Sequence, residues 1–160
     1  SATLRCQAGA VRLAVIADTH NRLPSSVRAE ISGADEIWHL GDICHRETLA
    51  ELRGLGPPVH AIGGNCDPRG LAPDTLVLER GGKNFFLIHI PPRSAPDGVD
   101  FLLHGHTHVP RDEMIGPTRF LNPGSVGKAN HGAAPSFAWL EIGAKGEIDW
   151  KLVPVSRDRG

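Results

Sequence analysis

Three times within its first 67 residues the chain runs through a short apolar stretch and stops on a polar group beside glycine or a tight turn. Val11 to Ala17 ends at Asp18-Thr19-His20, Glu36 to Leu40 at Gly41-Asp42, and Val59 to Ile62 at Gly63-Gly64-Asn65-Cys66-Asp67. A nearly continuous apolar run of this length reads as a strand buried on both faces. Between the runs, Pro24-Ser25-Ser26 opens a helix with Val27 and Ile31 four apart on one stripe. Glu47 to Leu55 forms a second helix, with Leu49, Leu52 and Leu55 facing inward and Gly54 to Pro58 ending it. Three strand-helix units in succession suit an open α/β sheet of parallel strands, which binds ligands outside the carboxyl ends of those strands.

After Asp67 the pattern changes. Asp74 to Glu79 and Asn84 to Ile88 read as a hairpin joined at Gly81-Gly82, and the second arm delivers His89. Pro91 to Gly98 is a polar, proline-rich loop, and Val99 to Leu103 is a strand that runs into His104-Gly105-His106-Thr107-His108. Glu113 to Ile115, Arg119 to Leu121, Ser136 to Ile142 and Glu147 to Val155 read as antiparallel strands. They are separated by Gly116-Pro117, the Asn122-Pro123-Gly124-Ser125 turn and Gly143 to Gly146. With 19 glycines and 13 prolines among 160 residues, many short elements are favoured over a helical bundle. The expectation is a mixed α/β (α+β) chain: two mixed sheets face to face with helices outside, in one domain over residues 11–160. Residues 1–10 lack periodicity and read as a disordered lead-in.

His106 and His108 are two apart, so a glycine-containing break at a strand end can aim both imidazoles into one pocket. The strand ends together supply Asp18, His20, Asp42, Asn65, His89, His106 and His108. This mixture of carboxylate, imidazole and amide oxygen suits a pair of divalent ions of the manganese, iron, zinc, cobalt or nickel type. Magnesium or calcium would want more oxygen, and a structural zinc site would want cysteine. Asp42, central in the order, is the natural shared ligand. Two such ions acidify a water between them and neutralise a phosphate oxygen, which favours phosphoester hydrolysis by in-line attack. The net charge of −1 gives no broad basic surface, so strong nucleic-acid binding is not expected and a phosphate must be held locally.

These ordered motifs, Asp18-Thr19-His20, Gly41-Asp42, Gly63-Gly64-Asn65-Cys66-Asp67, His89 and Gly105-His106-Thr107-His108, resemble the calcineurin-like metallophosphoesterases. With the Asn122-Pro123-Gly124-Ser125 turn, the likeness is to the small YfcE-type phosphodiesterases and spans residues 11–155. The resemblance implies a four-layer αββα sandwich, a binuclear site assayed with manganese, and hydrolysis of a small phosphodiester, with a homo-oligomer within the family's habits. Carried over, Asp18, His20, Asp42 and His108 hold one ion, and Asp42, Asn65, His89 and His106 hold the other. Asp42, Asn65, Cys66 and His106 then stand nearest the chemistry. Many relatives have His where this chain has Cys66; a thiol is a weak donor, so slow turnover and good leaving groups are expected. The small members commonly have Cys there. Asp67 is left without an adjacent imidazole to orient and is expected to hold a turn. After His89 the family's longer, partly helical excursion is replaced by a short Ile90-Pro91-Pro92 path, which lowers one wall of the cleft.

The remaining candidates read more plainly. His39 and His104 lie inside strands and are expected to bond backbone or a ligand without touching metal; His45 and His60 read as surface or satisfied histidines. Cys44 reads as a small buried hydrophobe. Asn21, Arg22, Arg93 and His131 lie in loops that can face the cleft and contact substrate. Cys6, Cys44 and Cys66 are odd in number and scattered, no apolar run nears a membrane span, and no signal-peptide pattern is present, so the chain reads as cytoplasmic. Two other functions compete: a Vps29-type protein-interaction scaffold of the same fold, and a nuclease. The scaffold has no need of His20, His89, His106 and His108 together.

Overall fold

The structure is a computed structural model that describes residues 10–20, 23–127 and 133–155. In chain order the elements are β1 (Val11–Ile16), α1 (Ser25–Ile31), β2 (Glu36–His39), α2 (Arg46–Arg53), β3 (Val59–Ala61), β4 (Thr75–Arg80), β5 (Lys83–Ile88) and β6 (Phe101–Leu103). They are followed by β7 (Arg111–Ile115), β8 (Thr118–Asn122), β9 (Ser136–Ile142) and β10 (Ile148–Pro154). Each expected strand and helix is present, with bounds moved by one or two residues. Leu55 falls just beyond α2 but still packs, half-buried, on that side of the sheet.

The strands make two five-stranded sheets, ordered β10-β9-β1-β2-β3 and β4-β5-β6-β8-β7. In the first, β1, β2 and β3 are parallel while β9 and β10 return antiparallel. In the second, β5, β6 and β8 are parallel, flanked by antiparallel β4 and β7. The sequence expectation of antiparallel strands throughout the back half is corrected at β8, which joins β6 in parallel. Glu113–Ile115 alone suggests a simple meander, but the buried run of β8 needs partners on both sides, and β6 supplies the second one.

Alternation along β1 explains the layering. Leu13 and Val15 point into a core shared with Phe85, Leu87, Leu103 and Leu121 of the second sheet, whereas Ala14 and Ile16 point outward against Val27 and Ile31 of α1 and Leu52 of α2. Phe85 stacks on Phe101 at 4.8 Å and meets Trp38 edge-on at 5.4 Å, so aromatic packing joins the two sheets. On the second sheet the outer layer is thinner than αββα implies. Phe86, Ile88, Leu102, Phe120 and Ile115 are covered by Ala95 and Val99 of the segment between β5 and β6, which contains no helix. The short path after His89 has therefore replaced a helical layer by a loop. No helix among the described residues is long and apolar enough to cross a membrane.

Candidate metal centre

The carboxyl ends of β1, β2 and β3 meet those of β5 and β6 at one edge of the two sheets. At that edge the backbone is bent unusually. Asp18, His20, Asp42, Cys44, His106 and His108 all have positive φ, between 53° and 72°, and they are the non-glycine residues with this conformation among the described residues. The left-handed region costs an L-residue roughly 1 kcal/mol or more, so such residues persist where surrounding contacts dictate them. Those contacts are explicit. Asp18 N–H donates to Gly41 O at 3.0 Å and His20 N–H to Asp42 O at 2.9 Å, while Gly127 N–H and Ser125 Oγ donate to Asp18 O. Asp67 grips the neighbouring loops, its carboxylate accepting from the backbone N–H groups of Asp42, Cys44 and Gly64 at 2.9, 2.6 and 2.7 Å. Gly64 is needed where it stands, because a Cβ there would collide with the Asp42 backbone and carboxylate.

Two sets of donor atoms result. Asp18, His20, Asp42 and His108 bring one ligand atom each to within 4.8 Å of all the others. His108 Nε2 lies 3.4 Å from both Asp18 Oδ1 and His20 Nε2. In the second set His89 Nε2 is 3.3 Å from Asp42 Oδ2, His106 Nδ1 is 3.1 Å from Asn65 Oδ1, and the His89 and His106 rings meet edge to face at 5.3 Å. Asp42 belongs to both. The seven residues expected from the strand ends are thus brought together.

The site is rich in electron pairs and poor in protons. His89 Nδ1–H donates to Leu40 O at 2.8 Å, which leaves the Nε2 lone pair aimed at the Asp18 and Asp42 carboxylates. Asp18 Oδ1 and His89 Nε2 are fully buried and have no hydrogen-bond partner among the described residues. Burial, followed by the neighbouring Asp42 carboxylate, pushes the Asp18 carboxyl up to about 8. Burial also holds the His89 imidazole below its ordinary range. Buried acceptors crowded in this way are costly; without a cation Asp18 meets part of the cost by keeping a proton, and a cation among them takes that proton's place. Oxygen and imidazole donors in this number fit divalent transition ions.

The other sequence candidates separate cleanly. His39 Nδ1 accepts from Gly41 N–H at 3.1 Å and its Nε2 pairs with Thr19 Oγ1 at 3.0 Å; His104 Nδ1 donates to Gly105 O at 2.9 Å and Nε2 accepts from Arg111 at 3.2 Å. Both are buried supports, as expected. His60 pairs with Glu36 at 3.4 Å. Arg93 is exposed on the loop after β5, with no hydrogen bond or ion pair to the cluster among the described residues. Asn21, Arg22 and His131 lie outside the described residues. Cys44 corrects its expectation. It is half-buried, and with His20 and Cys66 it forms a third group of donor atoms lying within 4.8 Å of one another. Sequence reading also gave no role to Asn122, whose Nδ2 donates to Gly105 O and Thr107 Oγ1 and whose Oδ1 accepts from Gly124 N–H. The Asn-Pro-Gly-Ser turn was its visible signal.

The Asp67 grip gives a first expected result. Asp67→Ala leaves three amides without their acceptor, and manganese affinity measured by calorimetric titration should fall by about 10 to 100-fold, the usual effect of removing a group that orients metal ligands.

The calcineurin-like phosphoesterase superfamily domain matches residues 11–145. A protein of Methanocaldococcus jannaschii, named a probable metallophosphoesterase, is 31% identical over 92% of this chain and 83% of its own. Phosphodiesterase YfcE of Escherichia coli K12 is 29% identical over 82% of this chain and 88% of its own, and a solved YfcE structure superposes with TM-score 0.71, at 24% identity, covering 91% and 100% of the two chains. Wild-type Vps29 of Entamoeba histolytica, solved in complex with zinc, superposes with TM-score 0.71, at 25% identity, covering 89% and 98%.

Proposed function

The chain belongs to the calcineurin-like phosphoesterase superfamily, and from that premise we propose that it is a metal-dependent phosphodiesterase whose two divalent ions share Asp42. The observation that carries this reading is the pair of orphaned buried acceptors, Asp18 Oδ1 and His89 Nε2, inside a ring of further donors. Asp18, His20, Asp42 and His108 would hold one ion, and Asp42, Asn65, His89 and His106 the other. When bound, such ions supply an acidified water as nucleophile and neutralise charge on the phosphoryl oxygens.

The chain's own groups supply the positioning. His106 N–H fixes Asp18 Oδ2 at 3.2 Å, Cys66 N–H fixes Asp42 Oδ1 at 2.9 Å, and Leu40 O fixes the His89 tautomer. Asn65, Cys66 and His106 are exposed, so a phosphodiester approaches from their side. Partial desolvation and the Asp42 carboxylate raise the Cys66 thiol, which therefore keeps its proton at neutral pH and donates weakly. Leaving groups that need little protonation, such as aryl oxides, are favoured. A cleft of about 280 Å³ lined by Gly63, Gly64, Asn65, Asp74, Thr75, Ile88, His89 and Ile90 gives that group room.

The test is hydrolysis of an aryl phosphodiester by protein stripped of metal and reloaded with manganese. Activity should return on reloading and be absent from His108→Ala. A reloaded protein no more active than that variant would refute the reading. The likeness to Vps29 favours one other reading, a protein-interaction scaffold of the same fold. Because that Vps29 is itself described with zinc, metal uptake does not separate the two readings; turnover does.

A further inference from the structure

His20 presents one ring nitrogen to each of two neighbourhoods. Its Nε2 faces His108 Nε2 at 3.4 Å within the oxygen-rich set, while its Nδ1 faces Cys44 Sγ at 3.6 Å. His20, Cys44 and Cys66 bring their donor atoms within 4.8 Å of one another. In a tetrahedral site with Zn–S near 2.3 Å and Zn–N near 2.0 to 2.1 Å, a sulfur and a nitrogen ligand stand about 3.6 Å apart and two sulfurs slightly further. The Cys44 to His20 separation has that value before any ion enters.

The two thiols are also held in place. Cys44 has a φ of 70°, a conformation its loop keeps while Asp67 accepts its N–H at 2.6 Å. Cys66 is fixed by its N–H bond to Asp42 Oδ1. Both grips come from carboxylates, which leaves the surroundings favourable to positive charge. Cys66 is exposed, so an ion has a path in and a fourth position open to solvent.

We propose that His20 Nδ1, Cys44 Sγ and Cys66 Sγ form a further site for one thiophilic divalent cation, such as zinc, which shares His20 with the oxygen and imidazole centre. Binding replaces the two thiol protons by two metal–sulfur bonds and releases both protons. The sulfur ligands select against manganese, a harder ion that prefers oxygen and imidazole. An imidazole carrying one proton cannot offer both nitrogens at once, so an ion on Nδ1 competes for His20 with an ion on Nε2.

The experiment uses the full chain with Cys6→Ser, stripped of metal and kept reduced, so that thiolate signals come from Cys44 and Cys66 alone. Cadmium is titrated in as the probe, and the ultraviolet thiolate-to-cadmium charge-transfer absorption is followed. The absorption should saturate at one thiolate-bound cadmium per chain, fall by about half in Cys66→Ser and vanish when Cys44→Ser is added. Manganese should produce none. Cys66 is exposed, so Cys66→Ser leaves the fold intact, and circular dichroism checks the double variant. No absorption in the parent chain, or undiminished absorption in Cys66→Ser, would overturn the site.

Discussion

Asp42→Asn is expected to lower manganese-dependent phosphodiester hydrolysis on the order of 10³-fold while leaving the metal-free chain at least as stable as the parent. Both effects come from one carboxylate. Asp42 is the member common to the two donor sets, and in the proposed reaction its charge would hold cations that together contribute several kcal/mol to stabilising a phosphoryl transition state. Without cations the same charge is a burden. It faces His89 Nε2 at 3.3 Å, where neither atom brings a proton, and it is second only to burial in raising Asp18. An asparagine amide keeps an acceptor for Cys66 N–H, can donate to His89, and removes the repulsion, together worth about 1 to 2 kcal/mol. Turnover assays and chelator-treated denaturant unfolding read the two effects separately. Retained activity would refute the shared-ligand role, and a large loss of metal-free stability would refute the electrostatic account.

The metal-free protein should be most stable near pH 6.5 and weaken on both sides. On the acid side, burial holds His39 down to about 3 and His104 to about 4, and lowers His89 too. Unfolded, these histidines bind protons near pH 6.5, so below that pH the unfolded state carries up to three protons that the folded state refuses. Asp18 offsets one of them. Folded, it keeps its proton up to about 8; unfolded, it releases it near 3.8. His39 and His104 less the Asp18 proton leave a net difference of about one proton, so stability falls by roughly 1.4 kcal/mol per unit of acidification below about pH 6, and His89 steepens the fall. Above pH 6.5 the unfolded histidines lose their remaining protons and Asp18 comes to dominate. There the folded state binds the extra proton, partly offset by the protons still held on the unfolded histidines, so stability declines by about 1 kcal/mol in total before levelling above about pH 8. Manganese, which takes the place of that proton, should remove the alkaline decline, and Asp18→Asn should remove it without metal. Denaturant unfolding in chelator from pH 4.5 to 8.5 measures both limbs. A flat alkaline limb in the parent chain would contradict the assignment to Asp18.

What could be read from the sequence follows from what a pattern encodes. Apolar runs such as Leu13 to Ala17 and Phe85 to Ile88 fix buried strands whatever their partners, and a polar residue at the end of each must emerge at a sheet edge. The strand-end Asp, Asn and His residues were therefore visible. Pairing is not local, so the parallel placement of β8 beside β6 was not. Nor was the geometry of Cys44, whose left-handed backbone and closeness to His20 depend on Asp67, 23 residues further along the chain. Arg93 lies in a loop whose course is set by the sheet beneath it, and no periodicity places such a residue.

Four of the seven donors follow strands of the first sheet and three follow strands of the second. Whatever they grip jointly acts as a rivet through the seam between the two halves of the core. A ligand that binds only the closed seam suppresses opening in proportion to its occupancy. Resistance to proteolytic cleavage should therefore rise and fall with free ion concentration, making the lifetime of the chain in a protease a gauge of how full the seam is.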